Sequence, residues 1–162
     1  MVNSMDLILH ECNNASQAND WFISLKQALA GLTAEQASWK PEGENISSIW
    51  ELTSHMLYYK ERLFLRLQGK ETDYSLSNEE TFHPSGHSQA DWDQLVNRML
   101  TLNDNLLNQL QTMRETDFSN DTSDSPLWQH ISNIIHHDVY HTGQMVTLRK
   151  LQKAWHPEPQ NA

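Results

Sequence analysis

Apolar residues recur at three- and four-residue steps in four stretches of the chain, the period of amphipathic helices rather than of strands. The first stretch carries Ala18, Phe22, Leu25, Leu29 and Leu32 and predicts one helix from about residue 5 to a stop at Gly31. Thr33 and Gln36 can then cap a short turn before Trp39-Lys40-Pro41. Ser48-Ile49-Trp50-Glu51 forms a capping box, so a second helix starts there, buries Ile49, Leu52, Met56, Leu63 and Leu67, and ends at Gly69. Residues 69–88 contain Pro84 and little periodicity, which predicts a long connection. Ser88 and Asp91 begin a third helix in which Trp92, Leu95, Met99, Leu102, Leu106, Leu110 and Met113 repeat almost as a heptad. The acidic segment 115–124 reads as a solvated loop. Ser125-Pro126 supplies an N-cap and a first-turn proline for a fourth helix running to about Trp155.

Four helices of roughly 20–28 residues, each with one apolar stripe, can bury those stripes together. The expected fold is therefore all-α, a four-helix bundle with a long crossover between helices two and three. Residues 1–155 are read as one domain and 156–162 as a frayed tail.

Composition narrows the function. Eleven Lys and Arg against 21 Asp and Glu give a net charge of −10, so a polyphosphate meets an unfavourable average field and nucleic acid is not expected as a partner. Cys12 is the single cysteine and has no intramolecular partner for a disulfide. The first basic residue is Lys26, which argues against a signal peptide, and no apolar run is long enough to cross a bilayer. A soluble cytoplasmic protein is expected, with no membrane partner.

Nine histidines raise the question of a metal. His10 and His156 lie near the termini, and His83 and His87 flank a Pro-Ser-Gly loop without a shared face. On the fourth helix, Ile134, His137, His141, Met145 and Leu148 follow one another at helical steps, so both imidazoles face the core. Histidines four apart can place two ring nitrogens on one ion. The third ligand must come from a facing helix, and His55 is the sole histidine of helix two. His130 lies about 10 Å along the axis from His137 and needs another partner, whereas His136 points to a boundary. The segment His137-Asp138-Val139-Tyr140-His141 approaches the zinc-protease pattern H-E-x-x-H, but Asp138 replaces its general-base glutamate and no downstream third ligand follows.

Trp39-Lys40-Pro41, the Ser48-Ile49-Trp50-Glu51-Leu52 run leading to His55, the tryptophan-led third helix, and the run from His137 to Gln144 together resemble the DinB/YfiT-like superfamily of four-helix-bundle metal proteins. The resemblance spans about residues 33–150, and Tyr140-His141-Thr142-Gly143-Gln144 is its most specific part. It implies an up-down-down-up type of bundle and a divalent metal on His55, His137 and His141, the set that spacing also selects. It further implies a bacterial, cytoplasmic homodimer. Some members are transferases or isomerases dependent on mycothiol, bacillithiol or glutathione, others are described as hydrolases, and many have no established reaction.

Three neutral imidazoles leave an ion its full charge and open positions, where a low-molecular-weight thiol or water can bind. Zinc, nickel and iron all suit such a donor set. The expected activity is thiol S-transfer to a small-molecule substrate, with a metal-dependent hydrolase or a non-catalytic stress-response dimer as alternatives. Gln144 is a candidate for contacting a ligand or metal-bound water, and Tyr59, with Tyr58, for lining the pocket mouth. Gly143 is read as a point of close helix approach, Glu51 as a cap and Cys12 as a small buried residue. Trp21, Trp50, Trp92 and Trp128 are more large aromatics than one small bundle readily buries, which also favours a dimer.

Overall fold

Side-chain caps fix where the helices begin. Ser48 and Ser88 accept from the backbone amides three residues on, while Glu51 and Asp91 reach back to the capping residues' own amides. In the computed structural model, which describes residues 4–43, 45–70, 74–119 and 125–156, these boxes open the long helices α4 (Ile49–Leu67) and α5 (Gln89–Gln111). The remaining α-helices are α1 (Ser4–Ser16), α2 (Leu25–Leu29), α3 (Ala34–Ser38) and α6 (Leu127–Leu151). The described residues contain six α-helices and two short 3-10 turns, and no strand.

The expected first helix is two helices. The Ser16 hydroxyl donates to Cys12 O at 2.7 Å and Asn14 Nδ2 to Asp20 Oδ2 at 3.3 Å, and the chain leaves the helix after Ser16. Asn19 Oδ1 then accepts from the Ser24 amide at 3.1 Å and its hydroxyl at 3.0 Å, and Ser24 caps α2. The apolar spacing correctly marks Leu25, Leu29 and Leu32 as buried, but their periodicity does not require a continuous helix. Arg149, buried on α6, donates to the carbonyls of Ala28 and Ala30 at 2.9 Å and closes the C-terminal end of α2.

Gly69, at φ +66°, ends α4 in a Schellman motif: its amide donates to Arg66 O at 2.9 Å and the Lys70 amide to Leu65 O at 3.0 Å. At the start of α6, Pro126 occupies the N-cap and no side chain caps the helix, while the Ser125 hydroxyl lies 3.2 Å from His130 Nε2. That helix ends at Leu151 rather than near Trp155, because Lys153 adopts φ 58°. Within the expected acidic loop, Glu115–Ser119 form a 3-10 turn with Phe118 buried; residues 120–124 and the tail 157–162 lie outside the described residues.

Helix α4 packs against both α5 and α6, and α1 closes the other side against α5 and α6. His55 meets His137 and Arg66 meets His130, so α4 and α6 run antiparallel. Trp50 and Trp92 are both buried, with ring centroids 5.4 Å apart, and Trp92 Nε1 donates to Leu32 O at 2.9 Å. Trp21 and Trp128 are exposed, so the core accommodates two of the four tryptophans weighed above. No helix among the described residues is long and apolar enough to cross a membrane.

Candidate functional site

One α4 position and two α6 positions, separated by 82 and 86 residues in sequence, meet at the seam of these helices. His55 Nε2 lies 2.8 Å from His137 Nε2, which lies 3.0 Å from His141 Nε2. His55 and His141 are buried and His137 half-buried. The three rings form a cluster able to hold a metal ion, with one ligand atom from each lying within 4.8 Å of the others.

Hydrogen bonds around the cluster set the tautomers. The Thr81 hydroxyl donates its one proton to Asn78 O at 2.6 Å, so it accepts from His55 Nδ1 at 2.6 Å. Gln144 Oε1 accepts from His141 Nδ1, also at 2.6 Å. Both residues therefore turn Nε2 lone pairs towards His137. A proton on His137 Nε2 serves one of these contacts well, whereas a cation between the rings satisfies all three nitrogens, so the donor set fits a divalent ion. Metal-binding histidines use this same arrangement, the second ring nitrogen donating to a nearby oxygen. His137 Nδ1 is buried without a hydrogen-bond partner among the described residues. Its ring is held by packing, with the Tyr59 ring edge-on at 5.6 Å.

Burial, reinforced by the mutual repulsion of the imidazoles, pushes His55 down to about 3. The same causes, with Lys60 adding to them, push His137 down to about 4. His141 is lowered by burial against the opposing pull of Gln144. All three stay neutral near neutral pH, which leaves their lone pairs available.

The 69–88 connection supplies part of the site. Its 3-10 turn, Glu80–Phe82, brings Thr81 to His55 and stacks Phe82 on the same ring at 3.9 Å and 13°. Tyr59 donates to Asn78 Oδ1 at 3.1 Å and borders a cavity of about 430 Å³ that reaches His55 and His137. A second cavity, of about 640 Å³, reaches His141 and is bordered by Phe82, Tyr140 and Gln144. Gln144 thus orients His141 and also borders the second cavity. Gly143 lies on the second cavity, and a Cβ there would meet nothing within 4 Å, so close helix approach is not its role.

Other candidates are directed elsewhere. Asp138 points away from the histidines and forms a 2.6 Å ion pair with Lys60, both side chains at most 4 % exposed, which excludes it as a base beside His137. Lys60 also donates to Asn103 Oδ1. Burial pushes the nearby Cys12 thiol up to about 11, so it stays protonated. Glu51 caps α4 and pairs with Lys40 at 2.7 Å. His130 lies 2.6 Å from Arg66, while His10, His83, His87 and His136 are exposed and outside the cluster.

Comparison with curated proteins and with solved structures returned no significant match. A family model described as the DinB superfamily matches residues 24–145, a span that contains α4, α5 and all three clustered histidines. Since that match covers well over half of the 162 residues, the chain belongs to the DinB superfamily.

Proposed function

We propose that the chain is a metal-dependent enzyme in which His55, His137 and His141 hold a divalent ion, zinc, nickel or iron, and that it transfers a low-molecular-weight thiol to a small electrophile. The observation that carries this reading is three neutral imidazole nitrogens converging between two cavities, with no fourth Cys, His, Asp or Glu joining them among the described residues. A plugged site would instead favour a non-catalytic role. We read α1, α4, α5 and α6 as a four-helix bundle, with residues 69–88 as its crossover.

An ion bound there supplies Lewis acidity that lowers the pKa of a thiol beside it. Thr81 and Gln144 hold His55 and His141 in the coordinating tautomer, while Phe82 and Tyr59 pack against the His55 ring. In the reaction a sulfur–carbon bond forms, the leaving group departs with its electron pair, and the thiol proton goes to water. Neither Cys12 nor Asp138 takes part, since one remains a protonated thiol and the other is committed to Lys60.

Protein loaded in turn with zinc, nickel and iron is expected to accelerate conjugation of bacillithiol, glutathione or cysteine to a general electrophile, and His137→Ala to remove that acceleration. If no thiol binds and no metal form exceeds the variant, transfer is excluded and hydrolysis or a non-catalytic role replaces it. A cytoplasmic homodimer belongs to the same reading. Tyr140 and Leu151, 64 % and 58 % exposed, border the larger cavity where a second copy would cover them. Sedimentation of a single 18.8 kDa species at high micromolar concentration would exclude the dimer.

A further inference from the structure

Among the described residues, the charged side chains that border the cavity against His55 and His137 are arginines, whereas the whole chain is acidic. Of 21 acidic side chains, none borders it among the described residues, whereas Arg62, Arg66 and His130 do, together with Asn78 and Asn133. Arg66 is engaged with His130. Arg62 makes no hydrogen bond or ion pair with the described residues, and its Nε is buried without a partner. A buried guanidinium nitrogen left unpaired is costly, and its natural complement is an anion.

Position adds a direction. His55, Tyr59, Arg62 and Arg66 stand at i, i+4, i+7 and i+11 of α4, along one face. The seven-residue step from His55 to Arg62 corresponds to about 10 Å of axial rise, and long helical side chains lean towards the N-terminus, here towards His55. Across the cavity His130 and His137 of α6 repeat the seven-residue step in the opposite direction. The seam is thus built for a ligand with a reacting group at one end and a negative group a few bonds away.

We propose that Arg62 anchors an anionic small molecule, a carboxylate-bearing thiol, whose sulfur reaches the three-histidine site. This rests on the reading of that site as a metal centre and adds the substrate's charge. The alternative placement of an anion in the larger cavity lacks support, since no arginine or lysine borders it among the described residues.

Cobalt-loaded protein tests it, because the cobalt bands report the ion and a sulfur charge-transfer band reports the thiolate. Mercaptosuccinate is expected to bind about tenfold or more tightly than neutral 1-thioglycerol. Arg62→Gln should abolish that preference with the cobalt bands unchanged, and Arg62→Lys should restore part of it. Equal binding of the two thiols, or a preference that survives in Arg62→Gln, overturns the proposal. If cobalt does not bind, the metal reading fails, and the arginine is judged on metal-free protein. Thermal stabilisation by succinate in the wild type but not in Arg62→Gln then supports the anion site, and equal or absent stabilisation in both refutes it.

Discussion

Replacing Lys60 with alanine is expected to destabilise the fold by about 3–5 kcal/mol, the cost of leaving one member of a buried ion pair without its partner. Lys60 is 1 % exposed and Asp138 3 %, so the carboxylate is largely shielded from solvent once the ammonium is gone. Asp138 Oδ1 is already buried without a hydrogen-bond partner among the described residues, so the carboxylate depends on Lys60. The cost belongs to the orphaned charge rather than to the pair. Combining Lys60→Met with Asp138→Leu should therefore recover most of the loss, since well-packed apolar pairs often replace buried ion pairs without penalty. Urea unfolding of the single and double variants separates the two cases. A loss below about 1 kcal/mol for Lys60→Ala would mean that the pair behaves as a solvated one.

The second large effect concerns the ion. Wild-type protein is expected to retain one divalent ion per chain, and His137→Ala combined with His141→Ala to retain none, because a single imidazole on α4 cannot hold it. Excess zinc should raise the melting temperature of the wild type and leave the double variant unmoved. Saturation at a hundredfold excess over the dissociation constant is worth about 2.7 kcal/mol of stability. Thr81→Val, which removes a hydroxyl and keeps the shape, should weaken binding by about 10–100-fold without abolishing it. Elemental analysis of untagged protein, with zinc titrations of each variant, measures the series. Stoichiometric metal in the double variant, held by His130 or His136, would refute the assignment.

The parts legible in the sequence are those with local signals. Capping boxes at Ser48 and Ser88 mark the starts of α4 and α5, and the i, i+4 spacing of His137 and His141 marks the face they share. Positions 18–32 mislead because short capped segments bury the same apolar residues as a continuous helix would. Thr81 and Phe82 lie in a connection without periodicity and 26 or more residues from His55, so nothing local announces their contact with it. Lys60 and Arg62 were readable in part. Lys60 falls four residues after the buried Met56 on α4, a place where a charge requires a partner, and Arg62 falls seven after His55 on the face that carries it. What the helical repeat alone lacks is the partner across the seam, Asp138 in one case and an open cavity in the other.

X-ray absorption at the metal edge of the loaded protein tests the central claim most directly. The account predicts three imidazole nitrogens at about 2.0–2.1 Å, with the remaining positions filled by water oxygen and, after addition of a thiol, by one sulfur. A shell lacking the imidazole signature, or one completed by a protein carboxylate or by Cys12 sulfur before any thiol is added, would contradict it.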